Sequence, residues 1–200
     1  MKAIKKITIL SLFVLFVFSG QIASAQEPQN NEGTPKELTR KEKRAIKKKQ
    51  KEEAEKLAFE KAANALENNR WVLEANTVYD KRGRSMQVTS NTNFVMTKGE
   101  EVYVQLAFQN VMIGPNGIGG ITLKGRPTKK EITKDKHGNI TLNMSVIGNA
   151  LTVDIQVNLT KDGNYADATV NAITRGQRVR FSGNLYDISD STYYKSGMDF

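Results

Sequence analysis

Few side chains in this sequence are suited to chemistry. Its 200 residues contain no cysteine and one histidine, His137, which lies in a turn-like segment at residues 135–139. Thiolate zinc sites and iron–sulfur clusters are therefore excluded, and one turn-bound histidine does not support a Ser-His-Asp triad. Asp154 and Asp167 fall on the polar side of alternating strand patterns, so we expect both carboxylates to face outward. This inventory predicts a protein that is not an enzyme and holds no metal and no cofactor.

A glycine-rich segment at residues 114–120 resembles a phosphate-binding loop only in composition. Neither a Gly-Lys-Ser/Thr ending nor a helical pattern follows it, and a phosphate-binding loop requires both. The segment favours a structural loop or bulge that leads into a strand. The alternative is a loop that gates a ligand at the mouth of a barrel, which makes Gly117, Gly119 and Gly120 candidate ligand-binding residues.

Four aromatic residues are further candidates for ligand contact: Trp71, Tyr79, Phe94 and Phe108. They lie in or near segments with strand patterns, and most aromatic side chains of such a sheet belong to its core. An eight-stranded barrel leaves room for one small ligand at most when its own side chains do not fill it. We therefore expect some of these rings to line an internal cavity for a small apolar ligand.

The first 25 residues predict export. Lys2, Lys5 and Lys6 precede an uncharged apolar stretch at residues 7–18, and the small-residue sequence Ala-Ser-Ala follows at residues 23–25. These features are typical of a signal peptide that is cleaved after residue 25. The apolar stretch is shorter than the roughly 20 residues that span a bilayer. The sequence thus predicts a periplasmic or secreted protein with no transmembrane helix after cleavage.

The remaining chain divides into three parts. Residues 26–33 are polar, without an apolar anchor, and predict a disordered lead. A charged helix is predicted for residues 34–69, because Thr34 and Glu37 have the spacing of a capping box and no proline or glycine interrupts the pattern after residue 35. Residues 70–200 form the third part, a β domain.

The first half of the predicted helix is strongly basic. Eight of the twelve residues from 40 to 51 are lysine or arginine, and this half has too few apolar residues to pack on a core. We expect it to project into solvent. The candidates for contact with anionic lipid or lipopolysaccharide are Arg40, Lys43, Arg44, Lys47, Lys48 and Lys51. The alternatives are a solvated helix face and an arm that pairs with another protomer; a role with nucleic acid is not expected behind a signal peptide.

The second half of the predicted helix has an apolar face. Its members recur at helical spacing: Ala54, Leu57, Ala58, Ala62, Ala65 and Leu66. We expect this half to pack against the domain that follows.

After Arg70 the apolar period changes from nearly four to two. Alternation predicts strands at residues 71–76, 102–108, 140–146, 151–159, 166–172 and 179–181, and less clearly at 120–124 and 128–134 on either side of a turn at 125–127. The connections are too short for parallel crossovers, so the strands are antiparallel. The sequence therefore predicts a mainly β fold, with an eight- or nine-stranded antiparallel barrel after one long charged helix; the alternative is a β-sandwich.

Three segments resemble an uncharacterised family of exported bacterial proteins, the "domain of unknown function 4251" family. They are residues 71–75 (Trp-Val-Leu-Glu-Ala) with 93–95 (Asn-Phe-Val), residues 117–125 (Gly-Ile-Gly-Gly-Ile-Thr-Leu-Lys-Gly), and residues 175–185 (Arg-Gly-Gln-Arg-Val-Arg-Phe-Ser-Gly-Asn-Leu). The resemblance implies a lipocalin-like antiparallel barrel with a helix before it, exported to the periplasm or beyond. It implies no activity, and it does not extend to the basic part of the helix.

Three hypotheses about function follow, of which the third is a hydrolase and predicts a cleft that contains carboxylates with perturbed pKa values. The first is a non-catalytic binding module for a small apolar or envelope ligand. The second is a structural or interaction protein that attaches to an anionic envelope surface, or to another envelope protein, through its basic helix.

Overall fold

The helix and strands follow one another along the chain with short connections. A computed structural model describes residues 39–108, 119–148, 151–173 and 176–195. Its elements are α1 (Arg40–Glu67), β1 (Arg70–Tyr79), β2 (Ser85–Gln87), β3 (Phe94–Lys98), β4 (Glu101–Ala107), β5 (Gly120–Lys134), β6 (Ile140–Gly148), β7 (Thr152–Leu159), β8 (Tyr165–Ala172), β9 (Gln177–Asp187) and a short 3-10 helix (Ile188–Asp190).

The strands form a closed antiparallel barrel. Neighbouring strands pair in the order β1-β3-β4-β5-β6-β7-β8-β9, and β9 pairs with β1 again. The short strand β2 pairs with the second half of β1, beside the barrel. The prediction of a barrel is confirmed, and the alternative of a β-sandwich is wrong because pairing of the first and last strands leaves a single closed sheet.

Alternation along the strands separates an apolar interior from a polar exterior. On β6, Leu142, Met144 and Val146 are buried in the main core cluster, whereas Asn143 and Ser145 lie between them on the outer side. The largest interior side chains include Trp71 and Phe181, both 0% exposed. Side chains of this size fill the inside of the barrel around them.

Strand β5 differs from its predicted form. The expected turn at residues 125–127 is wrong: β5 runs without a break from Gly120 to Lys134, and Gly125 pairs with both Val102 of β4 and Gly148 of β6. A bulge between Pro127 and Lys129 accommodates the proline. Gly125 allows the close approach of β6, because a Cβ there would lie 2.6 Å from Cγ1 of Val146.

Helix α1 begins at a capping box. The hydroxyl of Thr39 accepts from the amide of Glu42 at 3.3 Å, and the Glu42 carboxylate accepts from the Thr39 amide at 2.8 Å. The helix therefore starts at Arg40, later than predicted, because the spacing Thr-x-x-Glu occurs a second time five residues beyond Thr34. Thr34 itself lies outside the described residues.

Only the last turns of α1 pack on the barrel. Ala62, Ala65 and Leu66 are buried in the barrel core, whereas Leu57 is 56% exposed, so the predicted packing of Leu57 is wrong. Residues 40–51 are all exposed, as expected for the basic half, whereas the exposure of Ala54 shows that its predicted packing is wrong too. Four exposed ion pairs along the helix stabilise it weakly: Lys48–Glu52, Lys49–Glu53, Lys51–Glu55 and Lys56–Glu60.

A lysine of the barrel completes the end of the helix. Nζ of Lys130 donates to the carbonyl oxygen of Leu66 at 3.0 Å and to the side-chain oxygen of Asn69. Carbonyls of the last helical turn lack partners within the helix, and the helix dipole places negative charge there. Burial lowers the pKa of Lys130, and the nearby carboxylate of Glu67 opposes this shift.

The C-terminal segment, residues 191–195, lies along the outside of the barrel. The Thr192 amide donates to Oε1 of Glu74 at 2.6 Å, and Nε2 of Gln105 donates to the carbonyl of Tyr194 at 2.7 Å. The ring of Tyr193 packs edge-on against Phe94, with centroids 5.4 Å apart. This segment thereby covers a second apolar cluster on the outer side of β1, β3 and β4.

Replacing Lys130 with methionine is expected to lower the free energy of unfolding by about 1–2 kcal/mol, because the last carbonyls of α1 lose a charged donor. Urea denaturation measures this loss. The control is Lys129→Met, since Lys129 is exposed on the same strand. Equal stability of the two variants would contradict the role assigned to Lys130.

Acid is expected to weaken the hairpin between β5 and β6. The side chain of Asn139, followed by the amides of Asn139 and His137, donates to the carboxylate of Asp135 and lowers its pKa below the ordinary 3.8. Stabilisation from a carboxylate with a depressed pKa is present above the ordinary value and is lost as the pH falls through the depressed one.

Accordingly, Asp135→Ala should be less stable than wild type near neutral pH, and the difference should vanish in strong acid. Urea denaturation across this pH range tests the expectation. Asp162→Ala, in the turn between β7 and β8, is the control and should change stability little at any pH. A difference for Asp135→Ala that does not depend on pH would refute the assignment.

Candidate functional site

The residues suited to chemistry lie on the surface, each with a local role. His137 is exposed in the β5–β6 turn. Oδ1 of Asp154 accepts from the hydroxyl of Ser145 at 2.7 Å, and Asp167 accepts from the hydroxyl of Ser182. These contacts join neighbouring strands on the outside of the barrel. Among the described residues, no group of three or more acidic or histidine side chains is placed to hold a metal ion.

The four candidate aromatic residues do not form one site. Trp71 is fully buried in the interior near α1, and Phe94 lies on the outer side of the barrel beneath Tyr193. Only Tyr79 and Phe108 come together, in a cleft at the other end of the barrel. Sequence alternation indicates on which side of the sheet a ring lies, but not its height along the barrel axis.

The described candidate glycines have a backbone role. Gly119 has a φ of 80°, in the left-handed region. At Gly120 a Cβ would lie 1.9 Å from the carbonyl oxygen of Leu106, so only glycine allows β5 to start this close to β4. Gly117 and the rest of the segment at 109–118 lie outside the described residues.

The cleft with Tyr79 and Phe108 lies at the end of the barrel where β1 and β4 finish and β9 begins, and we call it the distal cleft. Its volume is about 380 Å³, within the range of 300–1,000 Å³ that is typical of small-molecule sites. Its lining consists of Val78, Tyr79, Asp80, Arg84, Ser85, Met86, Leu106, Phe108 and Val179. Alkyl and aromatic side chains therefore form most of its wall.

Two features of the distal cleft bear on what it could bind. The side chains of Val78 and Leu106 belong to the barrel core, so the floor of the cleft is continuous with the apolar interior. Met86, on its wall, is 54% exposed, although it is a large apolar residue. By contrast, a cleft of about 300 Å³ beside Asp154 on the outer sheet is lined mainly by polar side chains.

Charged groups flank the apolar wall. Asp80 accepts from the guanidinium of Arg84 at 2.7 Å and from the amides of Arg82 and Arg84 at 2.9 Å. Partial desolvation raises the pKa of Asp80, but these hydrogen bonds outweigh it and leave the pKa below its ordinary value. The guanidinium of Arg180 stacks on the ring of Tyr79 at 3.9 Å.

Val78, Met86, Leu106 and Val179 are the apolar lining residues that the sequence patterns did not single out as site residues. All four lie within two residues of an end of their strands. In an antiparallel meander, the end of β1, the end of β4 and the start of β9 must meet on one side of the barrel. Applied to the apolar residues nearest each turn, this rule about strand ends identifies the four lining residues from the sequence.

The basic candidates lie together on the exposed part of α1. Arg40, Arg44, Lys47 and Lys51 are spaced by three or four residues, so they share one helix face about 17 Å long. Lys43 and Lys48 flank them at the same spacing. Lys51 pairs with Glu55, whereas Arg44 and Lys47 make no ion pair within the described residues. We call this face the cationic stripe.

No helix in the described ranges is long and apolar enough to cross a membrane.

Comparison with known proteins identifies the family. The family model of "Domain of unknown function (DUF4251)" matches residues 52–185, which extend from the middle of α1 into β9. A crystal structure of a DUF4251 family protein from Bacteroides eggerthii DSM 20697 is similar, with 36% identity and a TM-score of 0.61 over 70% of this chain and 94% of that chain. A search of curated proteins found no match. Both comparisons name the same family, and both cover the residues that build the closed barrel. The chain therefore belongs to the DUF4251 family.

Proposed function

We propose that this chain is an exported, non-catalytic binding protein that takes up a small apolar molecule at the distal cleft. The observation that carries the proposal is the cleft itself, whose floor is formed by core residues such as Val78 and Leu106 and whose wall includes the exposed Met86. Large apolar side chains at a concave surface are a common mark of ligand sites.

The opposite end of the barrel also has a cleft, of about 300 Å³ beside α1, but the charged side chains of Glu60, Glu67 and Lys134 share its lining. There the last turns of α1 bury Ala65 and Leu66 against the core, at 2% and 0% exposure. Export is supported by the basic, apolar and small-residue segments of the first 25 residues. A non-catalytic role is supported by the positions of His137, Asp154 and Asp167, which are held in turns or in surface contacts between strands.

Replacing Met86 with glutamate is expected to weaken binding of the neutral fluorescent probe N-phenyl-1-naphthylamine about tenfold, because the probe must then contact a carboxylate. Fluorescence titration of the purified mature protein measures the affinity. Ile147→Glu is the matched control, because Ile147 is also 54% exposed but does not line the cleft. Failure of the wild type to bind the probe, or equal affinity of both variants, would refute the proposed site.

Attachment to an anionic envelope surface is a second candidate function, and the cationic stripe favours it. Each lysine or arginine near an anionic membrane contributes about 1 kcal/mol to attraction at low salt. The stripe is exposed over its whole length. Because it has few apolar residues, the attachment would be peripheral and reversible.

Neutralising the stripe with Arg44→Gln and Lys47→Gln together is expected to weaken cosedimentation with vesicles of anionic phospholipid about thirtyfold at low salt. High salt should abolish both the binding and the difference. The control removes two charges from the barrel surface, through Lys98→Gln and Lys136→Gln. Equal loss in both double variants would show that attraction depends on net charge, and not on the stripe.

A further inference from the structure

Arg84 lines the distal cleft, and further cationic residues lie at the same end of the barrel. Lys81, Arg82 and Arg84 lie in the turn after β1, and Arg178 and Arg180 lie near the start of β9. Because Tyr79 at the end of β1 pairs with Arg180 of β9, the basic turn after β1 and the basic start of β9 lie at the same end of the barrel.

These cations lack compensating carboxylates. Asp80 is the one acidic residue of the lining, and Arg84 and two backbone amides already occupy it. Lys81, Arg82 and Arg178 are exposed and make no ion pair within the described residues. Unpaired like charges beside a concave surface create a positive potential that attracts anions.

We infer that the ligand of the distal cleft is a single-chain anionic amphiphile, a molecule with a hydrocarbon chain and a carboxylate head group. The hydrocarbon chain lies against Val78, Leu106 and Phe108, and the carboxylate is held by the guanidinium groups of Arg82 and Arg178. This inference rests on the proposed function of the cleft and specifies the chemistry of its ligand.

Arginine suits this task, because its planar group forms paired hydrogen bonds with carboxylates. Arg180 contributes a guanidinium that is already oriented by stacking on Tyr79, so less side-chain freedom is lost on binding. Val179 lines the cleft and lies between Arg178 and Arg180 along β9; because neighbouring side chains of a strand alternate in direction, the two arginines meet the head group from the outer side of the sheet.

The experiment compares three amphiphiles with one chain length, dodecanoate, dodecanol and dodecyltrimethylammonium, below their micelle concentrations. Calorimetric titration of the mature protein should show dodecanoate binding about tenfold tighter than dodecanol, and the cation weakest. The double variant Arg82→Gln, Arg178→Gln should lose most of this preference while its affinity for dodecanol stays unchanged. The pair Lys98→Gln, Lys136→Gln serves as the control and should bind all three like wild type.

Equal affinity for dodecanoate and dodecanol in the wild type would overturn the inference but leave the apolar site in place. An unchanged preference in the double variant would also overturn it. If neither these amphiphiles nor N-phenyl-1-naphthylamine binds, the proposed function itself fails. Circular dichroism verifies that the variants, whose replaced side chains are exposed and unpaired, keep the fold.

Discussion

Pairing between the first and last strands of the barrel is the constraint on which the rest of the structure depends. Backbone hydrogen bonds between β1 and β9 join the two ends of the sheet and remove its edges. In a chain without cysteine, the closed sheet and its interior must supply the stability that disulfides provide elsewhere. A bulge between Ala75 and Thr77 and a glycine at position 183 let the two strands meet at short range, since a Cβ at Gly183 would lie 2.0 Å from the Glu74 carbonyl oxygen.

Closure also gives the two ends of the barrel different properties. At one end, α1 packs its last turns on the core and Lys130 binds its final carbonyls. At the other end, apolar core residues reach a cleft that arginines flank. The cationic stripe and the distal cleft therefore belong to separate parts of the molecule, and the two candidate functions do not compete for the same residues.

The sequence predicted most of the strands, because period-two alternation reports directly on which face of a sheet is buried. It missed β2 and β3; residues 94–97 of β3 are buried on both faces of the sheet and so do not alternate. It did not predict that residues 125–127 continue a strand, because Gly-Arg-Pro is typical of turns and only pairing on both sides reveals the bulge. The site was harder to predict. Alternation placed Trp71 inside correctly, but the aromatic character of Phe94 did not show that this ring belongs to the outer cluster and not to the interior. Val78 and Leu106 were overlooked because they look like ordinary core residues. They line a site only because the ends of their strands lie next to each other in the folded barrel.

The C-terminal segment has a consequence for how the protein is made. Gln105 is fully buried on the outer side of β4 and donates both to Thr92 and to Tyr194, and the Glu74 carboxylate accepts from Thr192. One hydrogen bond of Gln105 and those of Glu74 to Thr192 therefore depend on the last part of the chain. A nascent chain that lacks β9 and this segment has two open sheet edges and an uncovered apolar outer patch. Contacts between residues so far apart in sequence form slowly, because the intervening chain must be ordered first. The barrel is thus completed only after β9 and residues 191–195 have been synthesised, and until then the exposed edges and apolar surface are of the kind that promotes aggregation.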